Sequence, residues 1–260
     1  MSLPLFQASN DPGSNFNELV KRMGYQPSYA TSGEALTVPH ATTCVALRFT
    51  SGVVIAGDRR ATAGTRIANR AMEKVVQTDN FSAVAISGAA GPSMEMIKMF
   101  ALTLEHYEKM EGRSLSLEGK ANQLSAMVRS NMQAAFSGMV VFPLFAGFDE
   151  HDAQGRIWSY DITGGRYEER EYAAIGSGTD YAGTVVKVGW KSDLSESSAV
   201  ELACRGLWEA AESDAATGGP DGLRHIYPIV AIIDSQGWRR IDDTQLADVF
   251  SSIAEEVRSR

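Results

Sequence analysis

Residues 42–60 read TTCVALRFTSGVVIAGDRR and are the most informative segment of the chain about its fold. Its two mostly apolar runs, residues 42–50 and 53–60, flank a Ser-Gly pair of the kind found in turns. This pattern predicts a hairpin of two largely buried strands. A second pair of strands, KVVQTD and FSAVAIS, is predicted on either side of Asn80.

The rest of the chain groups its helices and strands. The predicted elements are two helices containing Phe100 and Leu124, strands at Val141–Phe148, Arg156–Ile162 and Arg170–Ile175, helices at Gly178–Trp190 and Ser195–Glu212, strands in IYPIVAIID and GWRRID, and a last helix containing Phe250. Because helices do not alternate one-for-one with strands, a parallel βαβ enzyme is not expected. The order predicts an α+β fold in which two antiparallel sheets stack face to face and helix pairs cover the outside.

The first part of the chain differs in composition from the rest. It carries four prolines and many Asn, Ser and Gly residues, with little periodicity outside Phe16–Met23. We expect residues 1–41 to be a mobile extension and residues 42–260 to form one domain. No Lys or Arg precedes Lys21, unlike a secretory signal, and no apolar run reaches the ~18 residues of a membrane helix. We therefore expect a cytoplasmic protein without a membrane partner.

Charge and cysteine content exclude several function classes. A net charge of −8 argues against a nucleic-acid partner, which usually meets a basic face. The two cysteines, Cys44 and Cys204, make no disulfide framework, and Cys204 lies in a helical pattern as a small buried hydrophobe. The four histidines show no metal-ligand spacing. We expect neither a metal nor a cofactor.

Polar and glycine-rich motifs lie where predicted strands and helices end. They are Ala41-Thr42-Thr43, Asp58 in GDRR, Lys74, SGAAG at residues 87–91, GSG at residues 176–178 and SDAATGGPD at residues 213–221. In this order and spacing they resemble a proteasome β subunit of the actinobacterial kind, over essentially all of residues 42–260. Each motif alone is weak evidence, but the set is highly specific. The resemblance implies the four-layer αββα sandwich of the N-terminal nucleophile hydrolases.

Thr42 is the nucleophile that the resemblance implies. Counted from Thr42, the distances to Asp58 and Lys74 match the family, and counted from Thr43 they miss by one. A threonine hydroxyl needs a base, and a free α-amino group with a reference pKa of about 7.7–8.0 can act as one. The Ala41–Thr42 bond must therefore be cut, autocatalytically in this family, because an amide nitrogen is not basic. The family usually has Gly where this chain has Ala41, which predicts slower maturation.

The resemblance also assigns the residues around the nucleophile. Lys74 would disfavour protonation of the terminal amine, and Asp58 would hold Lys74 charged and oriented. The backbone N–H of Gly88 would donate to the oxyanion of the tetrahedral intermediate. Ser177 and Asp214 would support the nucleophile and its amine. Thr217 would do the same from a position where the family often has Ser.

Substrate would bind as an added extended strand. The resemblance implies that backbone groups of Thr62, Gly88 and Ala90 bind this strand. It also implies a first specificity pocket of small or apolar residues: Ala61, Met72, Ile86, Ala90 and Met94. No member of this set is charged. We therefore expect cleavage after hydrophobic residues.

The resemblance further implies an assembly. Heptameric β rings would stack in pairs between rings of α subunits, as α7β7β7α7, with the active sites facing a closed chamber. An ATPase ring would feed unfolded protein substrates, including proteins tagged with a small ubiquitin-like modifier.

Four alternatives stay open at this point. Cys44, on the same strand face as Thr42, is conceivable as a nucleophile but is not at the motif's spacing. A two-tier bacterial peptidase ring also starts Thr-Thr, but its chains are shorter than residues 42–260. A catalytically silent ring subunit would not need the Thr42, Asp58, Lys74 and Gly88 set. Another N-terminal nucleophile hydrolase, such as an amidase, would not need the GDRR and ATGG segments together.

Overall fold

The computed structural model describes residues 42–259 of the chain. The predicted extension, residues 1–41, lies outside this range. The strands are β1 Thr43–Phe49, β2 Gly52–Gly57, β3 Ala61–Ala63, β4 Arg66–Asn69, β5 Val75–Asp79, β6 Ser82–Gly88, β7 Val141–Asp149, β8 Gln154–Tyr160, β9 Arg166–Glu169, β10 Tyr172–Gly176, β11 Ile229–Asp234 and β12 Gly237–Arg240. The helices are α1 Ala90–Glu111, α2 Leu117–Ser130, α3 Met132–Phe136, α4 Thr179–Gly189, α5 Glu196–Ser213 and α6 Asp243–Ser259.

The strands form two five-stranded antiparallel sheets and a short ribbon. The first sheet has the order β10-β1-β2-β11-β12, and the second has the order β5-β6-β7-β8-β9. The ribbon pairs β3 with β4. The predicted hairpin of residues 42–60 is β1 and β2, and it lies at the centre of the first sheet with β10 on one side and β11 on the other.

Alternation along the strands divides the buried residues into three layers of core. In β1, Val45 and Leu47 face a core shared with α4, α5 and α6, whereas Cys44 and Ala46 face a core between the two sheets. This is the opposite-face rule of a strand whose two faces are both buried. A third core, which includes Phe100, joins α1 and α2 to the second sheet.

The three cores together make the predicted four-layer arrangement. Helices α1 and α2 cover one outer face, and helices α4, α5 and α6 cover the other. Serine N-caps begin two of these helices, since Ser116 Oγ accepts from Gly119 N and Ser195 Oγ accepts from Ser198 N. The α+β sandwich of antiparallel sheets flanked by helices is therefore confirmed. In residues 42–259 no helix is both long and apolar enough to cross a membrane.

The structure differs from the sequence prediction around residue 170. The strand predicted at Arg170–Ile175 is present as β10, Tyr172–Gly176, in the first sheet. The strand before it, β9, which lies at the edge of the second sheet, was not predicted. β9 pairs with β8 through a turn in which the Asp161 carboxylate accepts the N–H groups of Thr163 and Gly165. The β3–β4 ribbon was not predicted, because its strands are short and the four residues of β4 are all exposed.

Candidate active site

Asp58 lies at the end of β2 and organises the site. Its side chain is fully buried, and both carboxylate oxygens accept hydrogen bonds. Oδ1 accepts from Thr43 N at 2.9 Å and from Lys74 Nζ at 2.6 Å. Oδ2 accepts from Arg60 N and from Gly218 N, each at 2.8 Å. These donors come from four separate segments, so one carboxylate fixes them relative to one another.

Lys74 precedes β5 and is only 1% exposed. Burying an ammonium is costly unless a partner compensates the lost hydration, and Asp58 supplies that partner. The carbonyl of Lys74 accepts from Ile86 N at 3.0 Å, which ties the lysine to β6. The structure thus brings together Asp58 and Lys74, two of the predicted residues, next to the backbone N–H of Thr43.

A second polar network surrounds the backbone of Thr42. Thr42 N donates to Ser177 Oγ at 3.4 Å, and Ser177 Oγ donates to Asp214 Oδ2 at 2.5 Å. Thr217 Oγ1 donates to the same carboxylate oxygen at 2.6 Å. Ser177 N also donates to the Thr42 carbonyl at 2.8 Å. The structure therefore places Ser177, Asp214 and Thr217 in one chain of hydrogen bonds that ends at the nitrogen of Thr42.

Thr43 connects the two networks, a role that sequence reasoning missed. Its Oγ1 lies 2.5 Å from Thr217 Oγ1 and accepts from Gly178 N at 3.1 Å. Its N–H donates to Asp58, as described above. Strand alternation was the available signal, because it places Thr43 on the opposite face of β1 from Thr42 and Cys44. A fully buried hydroxyl held by these bonds has a structural role in the site.

Cys44 lies in the core between the sheets and is fully buried. Its Sγ faces the Ile86 carbonyl at 3.6 Å. Burial raises the pKa of this thiol to about 12, although the nearby Lys74 ammonium acts to lower the pKa. The reactive form of a cysteine is the thiolate, so a buried neutral thiol is a poor nucleophile. This environment argues against the cysteine alternative.

Gly88 ends β6 in a conformation that favours glycine. Its φ is +104°, and an added Cβ would lie 2.2 Å from the Val140 carbonyl oxygen. Ala89 N donates to that same oxygen at 2.8 Å, and α1 begins at Ala90. The chain therefore turns sharply at the N-terminus of a helix, a location suited to a developing negative charge.

A cavity of about 130 Å³ opens beside Thr42. Its lining residues are Thr42, Ala61, Thr62, Met72, Ile86, Ser87, Gly88, Ala89, Ala90 and Ser93. Six of the seven predicted substrate residues are in this set. Met94 is not, since it packs instead against the core that joins α1 and α2 to the second sheet. Ser87, Ala89 and Ser93 were missed, because nothing in the sequence of residues 87–93 distinguishes a residue of the cavity wall from a turn residue.

Comparison with known proteins agrees with this geometry. A family model described as "Proteasome subunit" matches residues 38–225. A protein named "Proteasome subunit beta" from Acidimicrobium ferrooxidans is 54% identical, over 100% of this chain and 96% of the relative. Proteins of the same name are 52% identical in Streptomyces griseus, over 85% of this chain and 79% of the relative, and 46% identical in Jonesia denitrificans, over 94% and 83%. The chain therefore belongs to the proteasome subunit family and is a β subunit of the proteasome core, a peptidase that assembles with other subunits.

Proposed function

We propose that this β subunit is a threonine-type endopeptidase whose nucleophile is Thr42. The observation that carries the proposal is the convergence of two hydrogen-bond networks on Thr42 and the residue after it. Ser177, which is bonded to Asp214, accepts a hydrogen bond from the Thr42 nitrogen. Asp58, which is paired with the buried Lys74, accepts one from the following amide, that of Thr43. The cavity beside Thr42 supplies the space for a peptide.

Acylation follows from the groups at this position. Thr42 Oγ1 attacks the carbonyl carbon of the scissile peptide bond, and its proton passes to the free α-amino group of Thr42. The carbonyl oxygen becomes an oxyanion, which accepts a hydrogen bond from the N–H of Gly88. The C–N bond then breaks, and the leaving amine takes the proton from the α-ammonium. The product is an ester between Thr42 Oγ1 and the acyl part of the substrate.

The two hydrogen-bond networks contribute in different ways to the activation of Thr42. The Lys74 ammonium disfavours protonation of the nearby α-amine and stabilises negative charge on the threonine oxygen. Asp58 fixes the ammonium in place at 2.6 Å. Ser177, oriented by Asp214, accepts from the Thr42 nitrogen and so aims the lone pair of the amine at the hydroxyl. Thr217 supports Asp214 from the other side.

This mechanism requires a free amine, so the full chain is a proenzyme. Residues 1–41 act as a propeptide, and autocatalytic cleavage between Ala41 and Thr42 converts an unreactive amide into the base. Ala41 lies outside the described residues, and the slower maturation expected from it stays a prediction.

Cleavage preference is set by the walls of the cavity. Ala61, Met72, Ile86 and Ala90 present small or apolar surfaces, so the substrate residue before the scissile bond is hydrophobic. A panel of fluorogenic peptides that differ only in this residue tests the preference. We expect Leu, Phe and Tyr to exceed Asp and Lys by about tenfold or more, the value of burying a large apolar side chain. Equal rates across the panel would contradict this assignment.

The assembly is proposed as α7β7β7α7, with the active sites facing an enclosed chamber. An ATPase ring delivers unfolded proteins, including tagged ones, in the cytoplasm. Native mass spectrometry of the β chain co-expressed with an α subunit distinguishes the candidates. A four-ring particle supports the proposal, whereas a two-ring particle of this chain alone would favour the two-tier peptidase.

Three variants test the nucleophile itself. Thr42→Ala removes the hydroxyl, and we expect no measurable peptidase activity in the assembled particle. Thr42→Ser keeps a hydroxyl and should retain activity. Thr103→Ala, at a half-buried position on α1 away from the cavity, controls for the loss of a threonine. Activity in Thr42→Ala would exclude Thr42 and favour another nucleophile, while inactivity of the wild-type particle would favour a catalytically silent subunit.

A further inference from the structure

Ser87 carries a buried hydroxyl that the acylation step does not use. The residue is 2% exposed, and its Oγ forms no hydrogen bond with the part of the chain that the structure describes. A buried polar group without a partner is costly, and native proteins rarely retain one without a reason. The Ser87 hydroxyl therefore indicates a site for a ligand that forms a hydrogen bond with it.

The location of Ser87 connects this hydroxyl to the nucleophile. Ser87 lines the same cavity as Thr42 and directly precedes Gly88. A Cβ built on Gly176 would lie 1.8 Å from the Thr42 carbonyl oxygen and 3.3 Å from Ser87 Oγ. Ser87 Oγ and the Thr42 carbonyl oxygen therefore both lie beside Gly176 of β10.

A small polar ligand fits this position best. A buried hydroxyl beside an open cavity can bind a water molecule, provided that the cavity exceeds about 10–15 Å³ and offers at least two polar partners. The cavity here is about 130 Å³. Ser87 Oγ is one partner, and the Thr42 carbonyl oxygen, which also lies beside Gly176, is the second.

We propose that Ser87 positions the water that hydrolyses the acyl-enzyme on Thr42. This inference rests on the proposed threonine mechanism. The water oxygen attacks the acyl carbon of the ester while the α-amine of Thr42 takes one of its protons. The bond between the acyl carbon and Thr42 Oγ1 breaks, and the α-ammonium returns the proton to Oγ1. The peptide leaves with a new carboxyl group, and the hydroxyl and amine of Thr42 are restored.

Partitioning between water and a second nucleophile tests this role. A peptide p-nitrophenyl ester acylates quickly, so its kcat reports deacylation, and added hydroxylamine competes with water for the acyl-enzyme. For Ser87→Ala we expect kcat to fall about three- to tenfold, the value of one hydrogen bond. The KM should fall with it, so that kcat/KM is unchanged. The ratio of hydroxamate to acid should rise by the same factor.

Ser82→Ala is the matched control. Ser82 is a buried serine on the same strand whose Oγ lies 2.8 Å from Thr78 Oγ1, away from the cavity. Its loss should leave the product ratio unchanged. Rates are expressed per chain that begins at Thr42, as counted by intact mass. If Ser87→Ala chains stay uncleaved, Ser87→Cys gives the same test, because a thiol binds water weakly.

Two outcomes would overturn the role of Ser87. An unchanged ratio of hydroxamate to acid in Ser87→Ala would show that the hydroxyl does not position the water, even if kcat changes. A parallel loss of kcat/KM would indicate a structural role. Failure of the underlying mechanism looks different, because the wild-type enzyme would then form no acyl adduct on Thr42 in a quenched-reaction mass spectrum.

Discussion

Three consecutive residues with nucleophilic side chains lie at the start of the first hairpin, and each lies in a different environment. Thr42 lines the cavity, and its nitrogen donates a hydrogen bond to Ser177 Oγ. Thr43 is fully buried and bonded to Thr217. Cys44 lies in the core between the sheets, where burial raises the pKa of its thiol to about 12. Only the first has both access to a peptide and a prospective base of its own.

Asp58→Asn should disrupt both stability and catalysis. The substitution removes the charge that compensates the buried Lys74 ammonium, and breaking a buried pair in this way costs about 3–5 kcal/mol. We expect a loss of this size in the free energy of unfolding, measured by chemical denaturation in a Thr42→Ala background. Asp248→Asn, at an exposed position on α6, should change it by less than about 0.5 kcal/mol. A stable Asp58→Asn chain would show that Lys74 is compensated in another way.

Gly176→Ala tests how closely the backbone positions Thr42. Gly176 has a φ of +105°, and its added Cβ would lie 1.8 Å from the Thr42 carbonyl oxygen, so Thr42 must move. A shift of about 1 Å at a reacting group can cost about 100-fold in rate, and we expect a loss of that order in kcat/KM for a peptide substrate. Gly138→Ala has similar backbone strain at a φ of +85° but open space around it. Equal losses in the two variants would mean that strain alone is responsible.

The motifs predicted the candidate site better than they predicted its supporting residues. Asp58, Lys74 and Ser177 lie in segments whose order and spacing the sequence displays, and the structure brings them together around Thr42. Thr43 and Ser87 could not be assigned in this way. Whether a hydroxyl is bonded or left without a partner depends on atoms from distant segments, such as Thr217, 174 positions away from Thr43.

At the scale of elements, strand register gathers the site at one end of the first sheet. Thr43 pairs with Gly176 across β1 and β10, and Cys44 pairs with Gly57 across β1 and β2. The loops after β2 and β10 therefore place Asp58 and Ser177 on opposite sides of the N-terminal end of β1. The hairpin pattern of residues 42–60 predicts the pairing of β1 with β2. The pairing of β1 with β10 depends on the chain changing sheets near residue 170, which local sequence does not signal.

An ion pair between a buried lysine and a half-buried aspartate joins α2 to the second sheet and gives an element-scale prediction. Lys120 is 4% exposed, and its Nζ lies 2.7 Å from Asp79 Oδ2. Lys120→Met should destabilise the fold by about 3 kcal/mol, because it leaves the Asp79 carboxylate without its cation. The double variant with Asp79→Asn should recover part of that loss. Both values are measured by chemical denaturation.

The exposed pair Lys109–Glu105 on α1 provides the matched comparison. Solvent-exposed pairs of this spacing contribute little to stability, so Lys109→Met should have little effect. If Lys120→Met and Lys109→Met cost the same, the Lys120–Asp79 pair does not hold α2 in place.

At the scale of the whole molecule, buried thiols should make the fold sensitive to alkaline pH. Burial raises the pKa of both Cys44 and Cys204 to about 12 from an ordinary 9.0. Above pH 9 the unfolded chain releases thiol protons that the folded chain keeps. Stability should therefore be constant below pH 9 and fall between pH 9 and 12, by up to about 1.4 kcal/mol per pH unit for each thiol.

Thermal denaturation of the Thr42→Ala chain between pH 7 and 11 measures this dependence. Burial also raises the pKa of Tyr160, which adds to the loss at the upper end of the range. A Cys44→Ala, Cys204→Ala variant should show a shallower fall. An identical slope with and without the thiols would mean that other groups control the alkaline transition.

The most direct test of the central claim is the mass of the β chain after assembly. The wild-type chain, co-expressed with an α subunit, should yield a species that corresponds to residues 42–260, with Thr42 at its N-terminus. Thr42→Ala should remain at full length and be inactive. An uncleaved wild-type chain that hydrolyses peptides, or a cut at any other bond, would contradict the account.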